Sequence, residues 1–264
     1  MAVQISRRAC LLGAAAASQL GAADRKAMFD AFGQYVADVE KRFAKLNGSA
    51  KEFLWTAGAP DRVTRTKAGE ILTEDVETPD VPSGLAQHWR GASFYPGATL
   101  AKLRRVDLDV NRYKDMYAPD IIASRLLEST PERIDIYYRL KKKKVLTAVM
   151  DTKHRVYFQS LSPTRQTILS RSTEVREVNN HGKPNEKVLP VGEGQGLLYV
   201  MNSYWRYEEV ADGAFVECEA VTLARSLPLG LRTVIGPLID SFAVESMKHS
   251  LEAKRRAVAS LPAA

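Results

Sequence analysis

The sequence predicts an α+β fold: a curved antiparallel sheet wrapped on a long C-terminal helix, with an internal apolar cavity between them. Three observations predict it. From residue 120 to residue 225 apolar positions alternate with a period of two in a series of long runs. The runs are separated by short segments of turn chemistry, of which Asp212-Gly213 is the strongest hairpin signal. After Pro228-Leu229-Gly230 the period lengthens to that of a helix. Consecutive hairpins build a meander and not a βαβ sheet. A bent sheet has one hollow face, and a single helix laid across it leaves part of that hollow unfilled. A fully packed interior would carry the same pattern, so the cavity follows from element order alone.

Each element has its own signal. Over residues 24–46, Met28, Phe29, Phe32, Val36, Val39 and Phe43 fall on one side of a helix that Asn47-Gly48 ends. Gly58, Pro60, Gly69, Pro79 and Pro82 punctuate the next stretch around one strand at 69–77. Residues 82–96 read as irregular or briefly helical, 99–106 as a strand, and 109–116 as a short helix with Asp109 able to cap it. Pro119 stops that helix. Strands then follow at 121–128, 133–141, 145–160, 165–178, 196–210 and 214–225. Leu231, Val234, Ile235, Leu238, Ile239 and Phe242 form the stripe of the last helix, within which Pro237 predicts a kink or a late start.

Composition narrows the class. With 264 residues, 45% apolar and 26% charged, the chain has enough apolar surface to order a single domain. Residues 1–23 have the parts of an export signal: basic Arg7 and Arg8, a weakly apolar run, and small Gly21, Ala22 and Ala23 before Asp24. Ser6-Arg7-Arg8-Ala9-Cys10-Leu11-Leu12 resembles a twin-arginine motif. The mature domain is then 24–264, exported to the periplasm or secreted. Loss of Arg7 and Arg8 takes the formal charge from +7 to +5, and the remaining excess is too dispersed for a nucleic-acid footprint. Two basic runs, Lys141 to Lys144 and Lys254-Arg255-Arg256, offer transient contact with an anionic membrane surface. A solvated turn and helix end is the favoured reading of both. Only Cys218 survives processing, inside a strand, which excludes an intrachain disulfide.

Two segments carry a resemblance. Gly84-Leu85-Ala86-Gln87-His88-Trp89-Arg90-Gly91 with Phe94-Tyr95-Pro96-Gly97-Ala98, and Asn202-Ser203-Tyr204-Trp205-Arg206-Tyr207-Glu208 with Gly213-Ala214-Phe215-Val216-Glu217-Cys218-Glu219-Ala220, resemble bacterial START-like proteins of the SRPBCC superfamily. Leu223-Ala224-Arg225-Ser226-Leu227-Pro228, entering the final helix, matches as well. The resemblance implies a helix-grip fold with an apolar tunnel, in a group whose members bind lipids, sterols or polyketides and in part act as enzymes. Fold alone does not choose among these.

The candidate chemistry is sparse. His88, His154, His181 and His249 have no metal-ligand spacing, so neither metal nor cofactor is expected. His154 lies between Lys153 and Arg155, which oppose cation binding; the aromatic loop around His88 can place it at a pocket mouth, but a structural hydrogen bond is the favoured reading of a lone buried imidazole. Gly192-Glu193-Gly194-Gln195-Gly196 is followed by a strand and not by a helix, so it is a hairpin loop and not a phosphate cradle. Tyr204, Arg206 and Glu208 share one strand face opposite Glu217 and Glu219. Such a cluster is either a buried group that orients a polar head or, more commonly, a surface pair. Trp205 and Tyr207 occupy the other face, and parity does not say which face points inward.

The expected ligand-binding residues are His88, Trp89, Phe94, Tyr204, Arg206, Leu231, Val234, Ile235, Leu238, Ile239 and Phe242. The expected function is binding or carriage of an apolar small molecule, lipid or sterol-like, without catalysis. An aromatase/cyclase-like enzyme using the same cavity, and a ligand-free interaction module, are the alternatives.

Overall fold

A computed structural model describes residues 20–49, 51–143, 147–226 and 229–262, with side chains at all of these except 229–240. Most of the proposed export segment, Lys144, and the side chains of Leu231, Val234, Ile235, Leu238 and Ile239 therefore lie outside the described residues. The chain order is α1 (Ala22–Asn47), a 3-10 turn (Thr56–Gly58), α2 (Pro60–Lys67), β1 (Leu72–Asp75), β2 (Gly84–Pro96) and α3 (Leu100–Leu108). A second 3-10 turn (Val110–Arg112) and α4 (Tyr113–Met116) lead into β3 (Ile121–Ser129), β4 (Arg133–Lys143), β5 (Thr147–Ser162) and β6 (Arg165–Asn179). The chain closes with β7 (Lys187–Val188), β8 (Val200–Val210), β9 (Gly213–Arg225) and α5 (Leu229–Ala259).

All main strands join one antiparallel, curved and unclosed sheet in the order β1-β2-β9-β8-β6-β5-β4-β3, with short β7 beside β6. The expected α+β class and meander are present, and the C-terminal helix runs unbroken through Pro237. Two assignments were wrong. Residues 84–96 form a central strand paired along its length with β9, because its glycines serve close packing and not a turn. A side chain at Gly91 would lie 2.6 Å from Met247 Cγ and 2.9 Å from Leu251 Cδ1, so α5 rests where that side chain would be. Residues 100–108 are helical: the Thr99 hydroxyl caps the Lys102 N–H at 3.2 Å, and Leu103 and Val106 bury one face.

Three layers result. On one face, α1 buries Met28, Phe32, Val39 and Phe43 against Tyr204, Val221 and Leu223, and the following segment buries Phe53 and Leu54 against Phe94 and Phe215. On the other, Met247, Leu251 and Val258 of α5 join Leu103 and Val106 of α3 over Tyr95, Val216, Cys218 and Ile168. A strand covered on both sides is buried at consecutive positions, as residues 213–219 are, Glu217 and Glu219 among them. The free edge of β3 is blunted by the 3-10 turn and α4, where Asn111 Oδ1 accepts the Leu126 N–H at 3.1 Å and Ser124 Oγ accepts the Lys114 N–H at 3.1 Å.

Candidate functional site

Strand register decides the parity that the sequence leaves open. In β8, Trp205 and Tyr207 face the hollow side beneath α5, whereas Tyr204 and Arg206 face α1. His88 and Phe94 also lie on the α1 side, while Trp89 lies on the hollow side. The expected binding set is therefore divided between two faces of one sheet. Phe242 is half-buried on α5.

The α1 side is a sealed ionic layer. Arg206, 3% exposed, donates to Glu219 Oε1 at 3.0 Å and to the Phe43 carbonyl at 3.3 Å, with its guanidinium 4.0 Å above the Phe43 ring. Arg42 of α1 reaches Glu219 Oε2 at 2.8 Å, and His88 Nε2 stands 3.0 Å from the same oxygen. Because a carboxylate only accepts, Nε2 donates to Glu219, and Nδ1 lies 2.8 Å from the Tyr35 hydroxyl. Burial acts to raise the Glu219 pKa, but the His88 hydrogen bond and the charges of Arg206 and Arg42 outweigh it and hold it down to about 2. Glu217 is shifted the other way: burial pushes it up, only partly opposed by the Thr56 hydroxyl and the Thr56 and Trp55 N–H groups, each at 2.7–2.8 Å. Its oxygens are engaged by these three donors. The Arg–Glu cluster is thus buried, contrary to the surface-pair reading, and it fastens the N-terminal cover to the sheet.

The hollow side divides into two halves. Toward the Gly213 end it is filled: Lys254, 3% exposed, donates to Asp107 Oδ1 at 2.6 Å and to the Tyr207 hydroxyl at 2.5 Å, with its ammonium 3.9 Å from the centre of the Trp205 ring. Lys254 is therefore not part of a solvated basic helix end. Toward the Arg225 end the hollow face is left partly accessible. Val221 and Leu223 of β9, facing α1, are fully buried, but the alternating Ala220, Thr222 and Ala224 are only half-buried. In β8, Asn202, Tyr204 and Arg206 are buried while Met201, Ser203 and Trp205 are half-buried, and in β2 His88 is buried while Gln87 and Trp89 are half-buried. β8 and β9 are thus more deeply buried on the α1 side at this end, whereas in β2 the α1-facing Ala86 and Arg90 are half-buried like Gln87 and Trp89.

His154, set aside in the sequence because of its cationic neighbours, is buried on the hollow side. Strand alternation sends Lys153 to Glu174 and Arg155 to Asp135 on the opposite face. The imidazole stacks on Tyr138 with centroids 4.6 Å apart and planes at 12°, and Ser170 Oγ lies 3.4 Å from Nδ1. Burial lowers its pKa to about 3, so the ring is neutral. The period-two placement of Thr152, His154 and Val156 was the signal that this ring points inward. His181 pairs with Glu186 in a loop, and His249 meets the Tyr117 carbonyl at 3.3 Å. Among the described residues no group of three or more His, Cys, Asp or Glu is arranged to hold a metal ion, and no helix is long and apolar enough to cross a membrane. A cleft of about 260 Å³ between α3, α4 and the end of α5 is lined by charges of both signs, including Arg105, Arg112, Asp109 and Asp115.

The sheet order with a long helix across the hollow face is a helix-grip fold of the START-like kind. Among solved structures the chain is similar to a STAR-related lipid transfer protein from Xanthomonas axonopodis, with 18% identity, a TM-score of 0.45, and 70% of this chain and 98% of that one covered. It is similar to the Zhui aromatase/cyclase from Streptomyces sp. R1128 at 13% identity and TM-score 0.46, covering 66% and 94%, and to human STARD10 at 13% and 0.46, covering 72% and 74%. No known family profile matches the chain, and no curated protein does. At such identities function is read from this chain's own side chains.

Proposed function

We propose that the chain binds and carries a largely apolar small molecule, of lipid-like character, on the hollow side of its sheet and does not transform it. One observation carries this reading. In β9 and in the Asn202 to Arg206 part of β8 the side chains facing α1 are buried, while their alternating neighbours under α5 stay half-buried toward the Arg225 end. A sheet face roofed by a long helix and still accessible is a concave, mixed apolar and polar surface of the kind that takes small ligands. Catalysis lacks a comparable support: Glu217, the buried carboxylate with raised pKa, lies on the opposite side and is held by three donors. Export by residues 1–23 would place the activity in the periplasm or outside the cell.

Native mass spectrometry and solvent extraction of the protein purified from its own host test the reading. A co-purifying lipid-like mass at a stoichiometry near one supports it. An empty protein that also ignores a panel of fatty acids and sterols refutes it. Sequencing the N-terminus of the mature protein checks cleavage after Ala23.

A further inference from the structure

The cleft between α3, α4 and the end of α5 is a second concave surface, apart from the hollow of the sheet. Its volume of about 260 Å³ falls just below the roughly 300–1,000 Å³ usual for small-ligand pockets, so only a compact molecule fits. Val106, Met116, Ala253, Ala257 and Leu261 supply the apolar part of its lining. Arg105, Arg112 and Arg256 stand beside Asp109 and Asp115 in the charged part.

The walls are fixed from behind. Lys254 Nζ donates to Asp107 Oδ1 at 2.6 Å and joins α5 to α3, one position along each helix from the cleft residues Ala253 and Val106. The Tyr113 hydroxyl donates to the Asp107 carbonyl at 2.6 Å and ties α4 to α3. The Lys114 N–H of α4 is held in turn by Ser124 Oγ of β3 at 3.1 Å. The cleft is therefore formed before a ligand arrives, which removes the ordering cost that a flexible site carries.

The charged groups, in contrast, are little engaged with one another. Arg105 and Asp115 have no hydrogen-bond or ion-pair partner among the described residues. Arg112 Nη1 stands 3.6 Å from Asp109 Oδ2, beyond hydrogen-bond length, and Arg256 meets only the exposed Glu252 one turn back, at 3.2 Å. A lone anion in the cleft would meet two aspartates, and a lone cation three arginines. A molecule with one charge of each sign and an apolar group satisfies both sets and covers the apolar lining.

We propose that this cleft binds a small zwitterion with an apolar side chain, of the α-amino acid type. Arg105 and Arg256, from two different helices, take its carboxylate, and Asp115 takes its ammonium. The site is independent of whatever the hollow side carries, so its failure leaves the carriage reading standing.

Isothermal titration calorimetry of the whole chain with L-phenylalanine, 3-phenylpropionate and phenethylamine is the test, since each of the last two lacks one of the charges. Saturable binding of phenylalanine at millimolar concentration or below is expected, with each comparator about tenfold weaker. Arg105→Gln is expected to weaken phenylalanine about fivefold without weakening phenethylamine. Asp115→Asn is expected to weaken phenylalanine about fivefold without weakening 3-phenylpropionate. Both side chains are exposed, so thermal unfolding should be unaltered and the variants report on the cleft. Either comparator binding as tightly as phenylalanine overturns the zwitterion and reduces the cleft to a site for one charge. Phenylalanine binding that is indifferent to both substitutions puts the ligand elsewhere and also overturns the proposal. So does the absence of both heat and saturation-transfer NMR signal with all three probes.

Discussion

Arg206→Met separates scaffold from site. The guanidinium is 3% exposed, makes one charged hydrogen bond to Glu219 and one to the Phe43 carbonyl, and stacks on the Phe43 ring. Methionine fills much of the same volume but leaves two buried carboxylates with less compensation. Breaking a buried pair from one side costs about 3–5 kcal/mol. Arg42 remains 2.8 Å from Glu219 Oε2, which places the loss at the lower end of that range. For a chain of this size, roughly 2–4 °C of Tm is lost per kcal/mol, so a fall of about 6–12 °C is expected by circular dichroism. Affinity for a bound probe should change by less than about twofold, since a twofold change is only about 0.4 kcal/mol and Arg206 lies across the sheet from Trp89, Ser203 and Trp205. A variant that melts like the parent but binds tenfold more weakly would place Arg206 in the ligand site and refute the division of the sheet into a sealed and an open face.

Three further perturbations test the same account. Glu219 ionises at about 2 in the folded protein against an ordinary 4.5; a depressed carboxylate stabilises above its unfolded pKa and loses that contribution as pH falls toward the folded one. Denaturant titrations between pH 5 and pH 2 should therefore show about 3 kcal/mol of acid loss that Glu219→Gln lacks, and equal slopes in both proteins would contradict the assignment. His154 is neutral because its pKa sits near 3 against an ordinary 6.5, so the unfolded chain takes up the proton first and stability drops as pH falls below about 6.5. His154→Phe keeps the stack on Tyr138 and should flatten that slope; an unchanged pH dependence would mean the ring is not buried as described. Lys254→Met strands Asp107 and should cost about 3–5 kcal/mol, much of which Lys254→Met with Asp107→Leu should restore. If the double variant is no more stable than the single one in urea unfolding, the two charges do not compensate each other.

Local pattern carried most of the architecture. Period-two alternation from residue 120 onward, the Asp212-Gly213 turn and the helical stripe after residue 230 specify a meander closed by a helix, because each depends on neighbours within a few residues. Residues 84–106 were misread for the complementary reason. Gly91 looks like a turn residue until Met247 and Leu251, more than 150 positions away, are seen to fill its side-chain space. Within the candidate site, alternation placed Tyr204 and Arg206 on one face of β8 and Trp205 and Tyr207 on the other without saying which lies under α5, and His154 was set aside for charges that alternation turns away from it.

The sequence by itself therefore determined which residues share a strand face, since alternation is a property of the extended backbone. Only the tertiary structure decided which face is the interior of the site. Both faces of β2, β8 and β9 are covered, one by α1 and the other by α5, so each strand carries two sets of buried-looking residues. Hydrophobicity cannot distinguish two covered faces; what separates them is which helix lies over each, and that is set by contacts between residues far apart in the chain.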